Sequence, residues 1–420
     1  MSQISTDVYG RRYRVGESDV ELLGRPRVWM KRSAWAVMAA VSLFQYGYAA
    51  VLPMVVERNG WTVRHALLVL AVWVFCQAGS AAPAAWLYRR SGRNPELLLL
   101  VAAALCAAGL VSLAHQNSGF GYAVYGGLGT GLAYVVSLGV VTEWFPERAA
   151  SAAGAVSGAF GYGALPFVLL ASLFLDHGTI LLDVAAVVVA GVLVTAALLI
   201  RRPPAHWWPS HLDPHRWAVD RTLNASIPNN RPALRHFSFR AAIRCGVLPI
   251  LFVVVVLTSV MAFFDIAVLA THDWPAVSIA VLAVATGLGR WASSRLSDRL
   301  GRRQTLALAL WIGALAQFAL LAAVQSQAPV AVAISGAIAG AGTGAGYSLL
   351  IGLVRDWFGD EATLSNYGVV YTGKAVGGVL GIMLATGQWA WGAAGCLGLV
   401  GALLAYRLRQ PGRPMLTLPR

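Results

Sequence analysis

Two cations stand where apolar sequence should exclude them. Lys374, one of only two lysines in the chain, lies in the apolar run 361–386. About thirteen residues into a helix rising 1.5 Å per residue, it is roughly 20 Å from either surface. Snorkelling is hardest there, and a buried cation costs about 3 kcal/mol on insertion scales. Function is the default reading, with a structural pair to a neighbouring acid as the alternative. Arg290, in the run 276–296, lies about six residues from its end. Anchoring at the surface competes with a deeper role, yet Arg295, Arg299, Arg302 and Arg303 already supply that anchor. Asp265, in the run 246–270, is the clearest acid in apolar surroundings. Three readings fit it: a partner for one cation, a proton carrier for coupling, or a residue near the outer surface.

Polar aromatics recur at similar depth: Tyr46 beside Gln45, then Tyr134, Tyr347 and Tyr371. Tyr371 and Lys374 are three apart, hence on one helix face. A tyrosine offers an apolar ring and one hydroxyl. Together such residues could box in a small planar anion, although taken singly each is more often a packing residue. An arginine grips a carboxylate through two parallel charge-assisted hydrogen bonds, and a lysine can serve a second carboxylate.

Other chemistry has no support. There is no phosphate-binding Walker loop, so ATP is not expected. The histidines lack metal-ligand spacing, and Cys76, Cys106, Cys245 and Cys396 match no disulfide or zinc pattern. GGLGTG and AGAGTG lie inside apolar runs, where glycines let helices approach. No cofactor, metal or enzymatic activity is expected.

The elements that must hold these residues are membrane helices. The chain has 420 residues, 58% hydrophobic and 12% charged, about half the charge of a soluble domain. Spans are expected at 33–56, 66–88, 95–115, 119–142, 149–174, 180–200, 246–270, 276–296, 304–324, 329–355, 361–386 and 388–406. Of 32 Lys and Arg, Arg58 and Arg64 then fall in outer loops, and 28 fall on the side of both termini. The positive-inside rule puts that side in the cytoplasm. The net charge of +14 is therefore topology, and no nucleic-acid partner is expected. The expected partners are the lipid bilayer of the cell inner membrane and a small substrate, with the chain a monomer. The polar start shows no cleavable leader. The organisation reads as an N-terminal tail 1–32, a bundle 33–200, a cytoplasmic loop 201–245, a bundle 246–408 and a tail 409–420.

The bundles repeat. GTGLAY at 129 matches GTGAGY at 342, and in the same register Glu143-Trp144-Phe145 faces Asp356-Trp357-Phe358 and Glu147 faces Asp360. Parallel six-helix repeats place a site at their interface near the midplane. The basic turn Asp298, Arg299, Gly301, Arg302, Arg303 has a counterpart in YRRSGR at 88–93, where Arg89 replaces the acid.

The DRxGRR turn, the repeat and the six-plus-six layout resemble the major facilitator superfamily over nearly the whole chain. This implies an all-α membrane fold of twelve helices in two pseudo-repeat bundles. It also implies a cytoplasmic latch in which Asp298 caps a helix end and Arg299 pairs with an acid, with Asp356 as the candidate partner. GxGxxY followed by EWFPER, and NYGVVYTGKAVGG at 366–378, resemble the oxalate/formate antiporter family, related to monocarboxylate transporters. That resemblance implies secondary transport of mono- or dicarboxylates by alternating access, with Arg290 and Lys374 gripping the anion. Gln45, Tyr46, Tyr134, Tyr347 and Tyr371 would line the site. Proton-coupled transport, a drug or metabolite carrier, and a non-transporting membrane sensor are the alternatives.

Overall fold

The computed structural model describes residues 3–412, apart from 8, 9, 93, 117, 175, 176, 234, 235, 273, 388 and 389. Arg93 of the first-half turn and the tail beyond 412 thus lie outside the described residues. In lipid an apolar run must satisfy its own backbone, which only a helix does within one segment. The runs accordingly form α1 (Val28–Ala50, continued by Leu52–Asn59), α2 (Val63–Arg90), α3 (Glu96–His115), α4 (Tyr122–Trp144), α5 (Pro146–Leu173) and α6 (Gly178–Leu199). After the polar interval come α7 (Val247–Ala270), α8 (Pro275–Leu300), α9 (Arg302–Gln325), α10 (Pro329–Phe358) and α11 (Thr363–Ala385). The last, α12 (Ala390–Arg407), is shorter.

Two helices depart from regularity where the site lies. α1 has a 3-10 turn at Ser42–Phe44, immediately before Gln45, and bends by 67° after Ala50. Pro53, at the start of the second piece, lacks an N–H and crowds the preceding turn. α11 is joined at Thr372, between Thr363–Tyr371 and Gly373–Ala385. Irregular turns of this kind re-aim side chains into a cavity.

In the first half α1 lies against α4, α5 and α6, and α3 against α4 and α6. In the second, α10 lies against α8 and α9, and α7 against α11 and α12. The halves meet chiefly along α5–α8 and α2–α11. Close backbone approach permits the first contact: a Cβ at Gly161 would stand 2.5 Å from both the Ala283 carbonyl oxygen and the Gly287 nitrogen.

The end carrying most of the basic residues is capped. A hairpin pairs Gln3–Thr6 with Arg12–Val15, and Arg14 bridges to Trp207 of the central loop. Tyr13, Trp208 and Trp217 form a separate apolar cluster there. The loop holds two helices, Pro214–Val219 and Phe239–Arg244. It also satisfies the end of α8: Asn230 donates to the Ser297 carbonyl at 2.8 Å and accepts from the Arg302 N–H at 2.8 Å. Helix-end carbonyls buried without such partners are costly.

Candidate functional site

Lys374 opens the second piece of α11 and is 0% exposed. Its ammonium donates to Gln77 Oε1 at 2.9 Å, Gln45 Oε1 at 3.0 Å and the Tyr371 hydroxyl at 3.4 Å. All three acceptors are neutral. Five rings surround the ammonium at 5.3 to 5.8 Å from their centroids: Phe160, Phe263, Tyr371, Tyr347 and Trp73. Each ring face carries partial negative charge and attracts a cation, most strongly when water is excluded.

Arg290, 1% exposed, donates to the Ser157 carbonyl at 3.1 Å. Its guanidinium lies 5.1 Å from the Tyr347 ring and 5.5 Å from Phe160. Both cations therefore lean on the same two rings, Phe160 and Tyr347. Among the described residues neither forms an ion pair, whereas Arg27, Arg202, Arg302 and Arg355 each pair with an acid.

The tyrosines make one wall. Tyr134 stacks on Tyr371 at 5.0 Å and stands edge-on to Phe160 at 5.6 Å. Tyr46 meets Phe160 at 6.4 Å, and Tyr347 meets Tyr371 at 6.3 Å. The Tyr347 hydroxyl donates to Ser259 at 2.9 Å. Three buried donors, Arg290 Nε, Trp73 Nε1 and the Tyr134 hydroxyl, have no acceptor. Buried donors are normally satisfied. Two unneutralised cations beside unsatisfied donors make a buried cluster whose chemistry suits an anion rich in acceptors.

All seven candidate lining residues thus meet in one chamber. Sequence reasoning missed Gln77, Trp73, Phe160 and Phe263. Gln77 carried a signal, being the one amide in the run 66–88; a lone amide among apolar residues needs a buried partner. Trp73 and Phe160 carried none, because an aromatic residue in a span reads as packing.

Among the described residues Asp265 pairs with neither cation; it is 0% exposed and accepts from Gln317 Nε2 at 3.0 Å. One expectation requires correction. In the basic turn, the pairing arginine is Arg302, not Arg299. Arg302 holds Asp298 at 2.8 Å and also bonds Asp356, whereas Arg299 is exposed and offers its carbonyl to Asn229. The turn explains the exchange. Asp298 lies in the last turn of α8 and Arg302 opens α9, so the turn at Gly301 brings the two together, while Arg299 stays on the exposed side of α8. Gly301 lets the chain turn between α8 and α9 with φ at +96°, where only glycine is unstrained. In the first half Glu143, the repeat mate of Asp356, takes its arginine from the central loop: Arg202 bonds it at 2.8 Å. Across the halves, Arg355 donates to the Pro146 carbonyl at 2.8 Å.

The sequence profile of the Major Facilitator Superfamily matches residues 34–294 and 276–419. The oxalate:formate antiporter of Oxalobacter formigenes is 25% identical over 397 residues, 90% of this chain and 91% of its own length. An uncharacterized 38 kDa protein of Thermoproteus tenax is 25% identical over 361 residues, 85% of this chain and 87% of that one. Among solved structures, a partially occluded inward-open form of the E. coli xylose transporter XylE has a TM-score of 0.66 at 14% identity, covering 90% of this chain and 98% of the other. A POT family transporter in complex with 5-aminolevulinic acid has a TM-score of 0.67 at 16% identity, covering 91% and 96%. At these identities the solved structures speak for the fold alone.

Proposed function

The chain belongs to the Major Facilitator Superfamily and is a membrane transporter, and we propose that it exchanges small organic anions, mono- or dicarboxylates, by alternating access. One observation carries this reading: Lys374 and Arg290 are buried among the same aromatic rings, and among the described residues no carboxylate neutralises either. A substrate carboxylate takes the Arg290 guanidinium, whose Nε is free for it. A second carboxylate, or the far end of a small anion, displaces Gln45 and Gln77 from Lys374. Tyr134, stacked on Tyr371, and the Phe160 ring supply flat apolar faces against which a planar anion would lie. The 25% identical oxalate:formate antiporter supports the same class.

Exchange follows from the electrostatics. Sealing two unpaired charges in a dry chamber costs several kcal/mol, and a deficit of about 3 kcal/mol slows closure about 150-fold. Bound anion removes that deficit, so the loaded carrier crosses and the empty one stalls. Arg302 with Asp298 and Asp356, and Arg202 with Glu143, hold the helix ends on the basic face, which the positive-inside rule puts in the cytoplasm of a cell whose plasma membrane holds the chain. These contacts part when that face opens.

Thermal unfolding of the purified protein tests the substrate class. An anion at a hundred times its dissociation constant adds about 2.7 kcal/mol of stability. Oxalate or formate is expected to raise the melting temperature, and a sugar or an organic amine is not. Stabilisation by the sugar or the amine with none by any carboxylate would overturn the anion reading while leaving the fold in place.

A further inference from the structure

We propose that Asp265 and Gln317 form a proton-binding site in the second half of the chain, apart from the two cations. This goes beyond the anion reading and does not depend on it. Asp265 stands on α7, five residues before its end, and Gln317 stands on α9; they are 0% and 1% exposed. Gln317 Nε2 donates to Asp265 Oδ2 at 3.0 Å. The remaining oxygen of each, Asp265 Oδ1 and Gln317 Oε1, is buried without a partner.

Counting donors and acceptors shows what is missing. An ionised carboxylate is acceptor-only, and an amide offers one oxygen acceptor beside its NH₂ donor. Set edge to edge, they satisfy one contact and leave two acceptors with no donor. Turning the amide over exchanges the contacts and leaves the same deficit. One proton on Oδ1 removes it, because the carboxyl O–H can then donate to the amide oxygen. Both partnerless oxygens are resolved by a single proton. Without it, a full negative charge would be buried with one neutral hydrogen bond, a costly arrangement.

Among the described residues no charged group takes the place of that proton. The helices packed on α7 carry Tyr46 and Tyr48 (α1), Arg290, Arg295, Asp298 and Arg299 (α8), Arg302 and Arg303 (α9), Tyr347, Arg355 and Asp356 (α10), Tyr367, Tyr371 and Lys374 (α11), and Cys396, Tyr406 and Arg407 (α12); Arg240 and Arg244 precede α7 and His272 follows it. Among the described side chains only Gln317 acts on the Asp265 carboxyl. Tyr347 is engaged by Ser259, and Lys374 lies over Phe263. Around Asp265 the packing is apolar, with Phe264 and Val268 against Ala394. The proton therefore leaves when α7 and α9 separate enough to admit water.

Infrared spectroscopy of the lipid-reconstituted, substrate-free protein reads the proton directly. At neutral pH the wild type is expected to show the carbonyl band of a neutral, water-excluded carboxylic acid. Asp265→Asn should lack that band, and Gln317→Leu should shift it through loss of the amide partner. Labelling aspartate with carbon-13 should move the band in the unsubstituted protein and assigns it to an aspartate; Asp265→Glu, which keeps a carboxyl at the site, should shift it and serves if Asp265→Asn fails to fold. A wild type without the band, or a band that aspartate labelling and Asp265→Asn leave in place, overturns the proposal. A band unmoved in Gln317→Leu overturns the pairing. None of these outcomes depends on which solute is carried.

Discussion

Gln77 accepts a 2.9 Å hydrogen bond from Lys374 across the interface between the two halves. The bond ties α2 to α11 and gives a buried ammonium a neutral acceptor where an anion would otherwise stand. Gln77→Glu puts a carboxylate at the same reach, so the protein supplies its own counter-ion. A charge-assisted hydrogen bond contributes about 1.5–3 kcal/mol. The variant is expected to melt higher than wild type and to lose at least tenfold in anion affinity, both read by thermal unfolding with and without oxalate. An undiminished oxalate response would show that Lys374 is not where the anion binds.

Arg302 and Arg299 separate the latch from mere surface charge. Arg302 is 8% exposed and holds two acids. Removing one member of a buried pair costs about 3–5 kcal/mol. Arg302→Ala should therefore destabilise strongly, whereas Arg299→Ala should stay within about 0.5 kcal/mol. Equal melting temperatures for the two variants would contradict this assignment.

Gly161 sets the distance between the halves. The backbone atoms of Ala283 and Gly287 leave no room for a Cβ, and overpacking typically costs about 1–3 kcal/mol. In Gly161→Val, α5 and α8 are pushed apart and the close packing of this interface is lost. A cysteine placed at Ser157 should then react faster with a water-soluble thiol reagent than in the Gly161 background. Unchanged reactivity would mean that this contact does not gate the chamber.

Asp360 gives a pH dependence of known sign. Burial raises its pKa, but the charge of Arg355 and its hydrogen bond outweigh this, and the group ends below its ordinary value of 3.8. A carboxyl with a folded pKa below its unfolded one stabilises above the unfolded value and loses that contribution as pH falls through the folded one. The difference in melting temperature between wild type and Asp360→Asn should be constant from neutral pH to about 5 and shrink below about 4. A difference that grows on acidification would contradict the pairing.

Much of this was legible in the sequence. Long apolar runs can only be helices in lipid, and the repeat of GTGLAY with GTGAGY announces two like halves. Lys374 and Arg290 stand out because a cation in apolar sequence is costly. The irregular turns left less trace. Gln45 reaches Lys374 because a 3-10 turn precedes it, and no local sequence rule places that turn. Gln77 and Asp265 depend on partners 297 and 52 residues away, contacts that periodicity cannot report. The capping loop escaped for a related reason: Asn229 and Asn230 find their carbonyls on a different helix.

The most direct test of the central claim is exchange of labelled oxalate and of labelled formate in liposomes containing wild type or Lys374→Gln. The substitution keeps hydrogen-bonding capacity and removes the charge. Wild type should exchange at least one of these anions rapidly with the same anion inside and slowly without it. Lys374→Gln, inserted to the same level, should fall to the rate of empty liposomes. Exchange at the wild-type rate in Lys374→Gln would contradict the account, since the buried ammonium would then have no part in carrying the anion.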